Sequence, residues 1–196
     1  MISTIQLETK RLRLIAGHEA IVRAEIDDRA EMARLLGVAV PGTWPPPLND
    51  EASIRYFLRF TLEHPGAVGY GCWYWMLKPT KRSGAALLIG NGGFKGLPSE
   101  DGTIEVGYSV LEGYQGKGYA TEGVRALIEW AFRDSRVRRV IAETMTDGAA
   151  SQRVLRKNGF APAEEAAAEA GAVRFALSRE TWIQRGGASE FAPEGA

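Results

Sequence analysis

Gly113-Tyr-Gln-Gly-Lys-Gly-Tyr-Ala-Thr121 places glycines, a lysine and small side chains between an apolar stretch and a helical pattern. Such a junction binds anions. Free N–H groups converge at the start of a helix, glycines admit a ligand closely, and the helix dipole favours negative charge. Two familiar phosphate loops fit poorly. A P-loop needs a hydroxyl after its lysine to hold magnesium, whereas Lys117 is followed by Gly118. A dinucleotide fingerprint needs Gly-x-Gly-x-x-Gly, and Thr121 stands where the third glycine belongs.

A second feature is Glu105 within Ile104-Glu-Val-Gly-Tyr108, a charge in an otherwise apolar strand. A carboxylate there costs free energy unless it faces a cleft, a partner or solvent. In a cleft it can take the proton of an ammonium, general-base work worth roughly 10²–10⁴-fold. The plainer alternative is a glutamate on the strand face paired with Arg or Lys. Glu143, in Arg139-Val-Ile-Ala-Glu-Thr144, is the fallback base. Nucleophilic chemistry would need a Cys–His pair, and only Cys72, His18 and His64 are available, too few also for a metal site.

Positioning these residues requires particular elements. Arg11 to Ile15 alternates as a strand, and His18 to Gly37 has helical spacing interrupted near Asp27-Asp28, which predicts two short helices or a kink. Val40-Pro-Gly-Thr-Trp-Pro-Pro-Pro47 is a loop carrying Trp44. Asn49 or Asp50 caps a helix that Pro65-Gly66 ends. Strands over 70–77, 85–94 and 103–111 form an antiparallel meander, the first two joined by a basic turn over 78–84. After the loop, Ala120, Val124, Leu127, Ile128, Ala131 and Phe132 make one apolar helix stripe. Strand 139–144 then runs parallel to strand 103–111 through a right-handed crossover. A helix over 149–158 stops at Gly159, a hairpin over 161–178 turns near Gly171, and the Gly-, Ala- and Glu-rich stretch from Arg185 reads as a disordered tail.

Gln115-Gly-Lys-Gly-Tyr-Ala120 matches [Arg/Gln]-x-x-Gly-x-[Gly/Ala], and with Thr103–Leu111, the helix, Arg139–Thr144 and Ala150-Ser-Gln-Arg-Val-Leu-Arg-Lys-Asn-Gly-Phe160 the chain resembles the GNAT-type N-acetyltransferases. Leu7-Glu-Thr-Lys-Arg-Leu-Arg-Leu14 is similar to the first strand of their RimJ/RimL-like branch, and the resemblance covers roughly residues 5 to 183. It implies an α/β (α+β) fold with a mixed, mostly antiparallel sheet flanked by helices and splayed at a cofactor slot. It implies acetyl-CoA as co-substrate, its pyrophosphate held by Gln115, Gly116, Lys117, Gly118, Tyr119, Ala120 and Thr121. Val110 and Leu111 would bond the pantetheine arm at a strand bulge, with a backbone N–H polarising the acetyl carbonyl. The resemblance also supports Glu105 as base and offers Ser151 as donor to the leaving thiolate. Leu155 stands where many members have a donor tyrosine, and Gly148 where asparagine is common. Trp44 and Tyr108 are expected to shape the acceptor pocket beside Glu143. The rival reading is a coenzyme A-binding sensor without turnover.

The 196 residues suit one domain over 1–184 followed by the tail over 185–196. With 24 basic and 24 acidic residues, nothing in the bulk charge points to a nucleic-acid or membrane partner. Neither a signal peptide nor a run of membrane-spanning length is visible, which predicts a cytoplasmic protein. The expected partner is the amine acceptor, and a homodimer is compatible with the family.

Overall fold

The computed structural model describes residues 5–79 and 84–187. Part of the basic turn, 80–83, and residues 188–196 of the expected tail lie outside the described residues.

Strands β1 (Gln6–Glu8) and β2 (Leu12–Ala16) form a hairpin where one strand was expected. The division is made by Thr9. Its N–H donates to the Leu12 carbonyl at 2.9 Å, and its hydroxyl accepts from the Leu12 N–H at 2.9 Å. A short polar side chain thus supplies the turn's own bonds.

Helices α1 (Glu19–Asp27) and α2 (Arg29–Leu36) are separated at Asp28, whose carboxylate caps α2 through the N–H groups of Ala30 and Glu31. Helix α3 (Glu51–Glu63) is capped by Asp50 through Ser53 N–H. Strands β3 (Cys72–Leu77), β4 (Leu87–Phe94) and β5 (Thr103–Val110) form the predicted meander. Helix α4 (Tyr119–Ala131) leads to β6 (Arg139–Met145), which pairs parallel to β5. Helix α5 (Ala149–Lys157), strands β7 (Ala161–Pro162) and β8 (Ala172–Ser178), and helix α6 (Arg179–Gln184) complete the chain. Helix α6 was not anticipated. The Ser178 hydroxyl caps it through Thr181 N–H, and a turn at Arg185–Gly187 closes it. Among the described residues no helix is long and apolar enough to cross a membrane.

The strand order is β1-β2-β3-β4-β5-β6-β8-β7. Strand alternation sends Trp73 and Trp75 into the core under α4 and α5, and Tyr74 into the core under α1 to α3. The sheet opens at its middle. Pairing between β5 and β6 covers Thr103–Glu105 against Arg139–Ile141 and goes no further. Beyond Ile141, β6 stays registered with β8 along its whole length and diverges from β5. The bulge expected at Val110 and Leu111 is absent, because the β4–β5 register is regular through Val110. The register shift lies in the β3–β4 ladder instead, between Trp75 and Met76.

Candidate active site and cofactor cleft

Where β5 leaves β6, its backbone is exposed to the gap. The bonds Lys95 N–H to Glu105 O and Leu111 N–H to Ile89 O fix which β5 residues face β4. Antiparallel alternation then turns the main-chain groups of Val106, Tyr108 and Val110 toward the gap. Three main-chain groups of the two residues expected there are already engaged. Leu111 donates its N–H to Ile89, and its carbonyl accepts from Tyr114 at 2.8 Å. The Val110 carbonyl accepts from the Gln115 side-chain amide at 2.9 Å, which ties the glycine loop to the strand end. The Val110 N–H faces the gap at its loop end, beyond that of Tyr108.

The loop delivers the start of α4 to the same end of the gap. Gly116 (φ 71°) and Gly118 (φ 81°) are left-handed, and Gly118 is the N-cap residue with no side chain bonded to the helix N-terminus. A Cβ at Gly116 would meet nothing within 4 Å, so the space over the loop is open. An uncapped helix N-terminus beside open space and strand main-chain groups fits a diphosphate with an extended arm. Lys117 curls back, its ammonium donating to Gly113 O at 2.7 Å and lying 5.4 Å from the Tyr114 ring. Tyr119, Ala120 and Thr121 occupy the first turn of α4.

Sequence reasoning missed the residues behind the loop. The Arg11 guanidinium donates to the Lys117 carbonyl at 2.8 Å and to Glu122 at 2.6 Å, and lies 4.4 Å from the Tyr119 ring centre. Glu122 also accepts from the Thr9 hydroxyl at 2.6 Å and from Arg11 N–H at 2.7 Å. Burial pushes the Glu122 carboxyl up, but these donors outweigh it and hold the group below the usual range. The C=O of Lys117 and the N–H of Gly118 share one planar peptide and point oppositely. Arg11 therefore aims the Gly118 N–H away from itself. If the loop holds the acetyl-CoA diphosphate that the sequence resemblance implies, Arg11→Met should weaken acetyl-CoA binding about tenfold, from loss of charge-assisted bonds worth roughly 1.5–3 kcal/mol. Titration calorimetry measures this, and turnover with acetyl-pantetheine, which lacks the diphosphate, should be spared. An equal loss with both donors would show that Arg11 does not act through the loop.

Side chains of β5 alternate across the sheet. Tyr108 lies on the α4 side, stacked on Trp75 at 6.5 Å, and its hydroxyl is 2.9 Å from Ser151 Oγ and donates to Ser151 O at 3.2 Å. Burial raises the Tyr108 phenol to about 12, while the Ser151 contact pulls the other way, so it stays protonated. The two hydroxyls thus bridge β5 to the start of α5. Leu155 is fully buried in the core and carries no donor. Gly148 has a local reason: a Cβ there would meet Met145 O at 2.9 Å and Thr144 Oγ1 at 2.7 Å. An asparagine would require that turn to open.

Glu105 lies on the opposite face, half-buried and ion-paired with the exposed Lys95. Glu143 is more committed: Arg174 donates at 2.6 and 2.9 Å, and Ala168 N–H at 3.1 Å. Burial pushes Glu143 up, but Arg174 and the Ala168 N–H hold it below the usual carboxylate range. Trp44, expected at the acceptor, is only 4% exposed. Its indole N–H donates to Glu25 at 2.9 Å, so it is part of the core beneath its loop. Cys72 is buried, and burial raises its thiol well above the ordinary value, which removes it as a nucleophile.

Residues 14–161 match the family of the acetyltransferase (GNAT) domain. The uncharacterized N-acetyltransferase YjdG of Bacillus subtilis (strain 168) is 32% identical over 156 residues, covering 80% of this chain and 89% of that one. An acetyltransferase from Agrobacterium tumefaciens str. C58 superposes with a TM-score of 0.59 at 20% identity, covering 91% and 97% of the two chains. RimL, the ribosomal L7/L12 alpha-N-protein acetyltransferase, gives 0.56 at 20% identity, covering 89% and 94%. At these identities the two structures are evidence of a shared fold.

Proposed function

This chain belongs to the GNAT acetyltransferase family, and on that premise we propose that it moves acetyl from acetyl-CoA to a primary amine by direct attack in a ternary complex. The observation that carries the reading is the meeting, at one end of one gap, of the uncapped α4 N-terminus and the freed main chain of β5. Acetyl-CoA supplies an activated acyl group. The N–H groups over Gly116 to Thr121 hold its diphosphate, with Arg11 setting the loop. The Val110 N–H polarises the acetyl carbonyl as negative charge develops on its oxygen. Glu105 takes the ammonium proton, directly or through water, so that the amine is neutral when it attacks. Ser151, backed by the Tyr108 hydroxyl, donates to the departing sulfur.

Thermal unfolding with acetyl-CoA, CoA, ATP and NAD tests the cofactor. At one hundred times Kd a ligand adds roughly 2.7 kcal/mol, a rise of about 5–10 °C for a chain of this length. A rise with acetyl-CoA alongside none with ATP or NAD is expected. No rise at millimolar acetyl-CoA would remove the assignment. A second reading, a coenzyme A-binding domain without turnover, is favoured by the Glu105–Lys95 ion pair and by Leu155. It requires CoA and acetyl-CoA to bind alike and no amine to be acetylated.

A further inference from the structure

Leu48 is both 88% exposed and in the left-handed region, at φ 68°. A single exposed leucine is ordinary, but a bulky side chain held at positive φ is strained. Such strain persists only where the surroundings impose it, and it concentrates at functional sites. Here the chain is held on both sides of the strained residue. On either side of the loop tip, Trp44 and Asn49 donate to one carboxyl, Glu25, at 2.9 and 3.0 Å. Arg29 donates to the Trp44 carbonyl at 2.8 Å, and the Ser109 hydroxyl donates to the Pro47 carbonyl. Leu48 is thus presented by an anchored loop.

The last of those anchors locates it. Ser109, Gly107 and Glu105 share one face of β5. Pro47 covers Ser109, while a Cβ at Gly107 would meet nothing within 4 Å. Gly107 is therefore the floor of an open space between the Glu105 carboxylate and the loop tip. The Cα atoms of Glu105 and Ser109 are about 13 Å apart along the strand. Leu48 follows Pro47 directly, about 3.8 Å from Cα to Cα.

From this placement we infer that Leu48 is a specificity contact for the acceptor, and that the amine acetylated by this chain carries an apolar group. The inference rests on the acetyl-transfer reading and adds the substrate class to it. The amine nitrogen lies toward Glu105, Gly107 admits its chain, and Leu48 covers the apolar end. Leu48 and the Pro47 carbonyl, which already accepts from Ser109, themselves carry no charge for a polyamine's distal ammonium.

The test uses the whole protein with acetyl-CoA and a graded series of primary amines: ethylamine, butylamine, hexylamine, phenethylamine and spermidine. In the unchanged protein, kcat/KM should climb with apolar length and exceed that for spermidine. Leu48→Gly and Leu48→Asn both accept a left-handed backbone, so the fold and the acetyl-CoA thermal shift should hold. In both variants the hexylamine-to-ethylamine ratio of kcat/KM should fall roughly tenfold. An unaltered ratio overturns the inference, as does a preference of the unchanged protein for spermidine. Dissociation of an oligomer by Leu48→Gly, followed by sedimentation, would assign the leucine to an interface and overturn it as well. Acetyl-CoA binding without turnover of any amine would instead sink the acetyl-transfer reading on which the inference rests.

Discussion

Replacing Glu105 with glutamine should lower kcat about a hundredfold or more, within the roughly 10²–10⁴-fold range of a positioned general base. Gln keeps the length of the side chain and can still accept from Lys95, so the strand and the β5–β6 junction should be undisturbed. Acetyl-CoA affinity should be spared, because the glutamate side chain lies on the sheet face opposite Tyr108 and its Ser151 partner. The split between turnover and binding is the sharper readout: kcat should fall while the acetyl-CoA thermal shift holds. The ion pair with Lys95 makes the alternative concrete: if Glu105 only ties β5 to the loop after β4, Glu105→Gln will cost a little stability and leave turnover alone. Turnover at the wild-type level would take Glu105 out of the mechanism. Glu143 would not inherit the role easily, since Arg174 and Ala168 N–H already occupy its oxygens.

Features governed by near neighbours along the chain were readable in advance. The α4 stripe, the break at Asp28 and the meander follow from spacing, caps and turns within a few residues. The parallel pairing of β6 with β5 follows from crossover handedness. Features set by partners far along the chain were not. Arg11 and Glu122 are separated by 111 positions, and nothing local marks either as more than a surface charge. Trp44 in a proline loop looks exposed until Glu25, 19 residues before it, is brought beneath it by α1. The gap was placed in the right strands for a reason that did not hold, since β6 leaves β5 by following β8 rather than by a bulge in β5. Helix α6 is only 6 residues long, too short to display a helical period. The candidate site is therefore readable as a loop, a strand and a lone carboxylate, while the groups that orient them emerge only from the packed chain.

Glu25 supports the loop that places Leu48, and its removal should produce the largest loss of stability. Tyr74 hydroxyl donates to one of its oxygens at 2.6 Å, while the Trp44 indole and the Asn49 amide share the other. Tyr74, Trp44 and Asn49 are all buried, so the donors cannot turn to solvent when the acceptor is cut away. Each orphaned donor costs roughly 1–3 kcal/mol, and relief of the carboxyl's own burial returns part of the total. Glu25→Ala should therefore lose about 3–4 kcal/mol in urea unfolding. Glu25→Gln should lose far less, because its amide oxygen can serve the indole and Asn49 while the Tyr74 hydroxyl rotates to accept from its NH₂ group. The two variants also separate by pH. Burial pushes the Glu25 carboxyl above its ordinary value of 4.5, against the pull of Tyr74, Trp44 and Asn49, so the folded chain holds this proton more tightly than the unfolded one. A raised folded value gives stability that is full below 4.5 and fades as pH rises through the folded value. The advantage of the wild-type chain over Glu25→Gln should thus shrink from acid toward neutral pH. An advantage that grew with pH would mean that the ionised carboxylate is the better-held form, and that the three hydrogen bonds outweigh the cost of burying its charge.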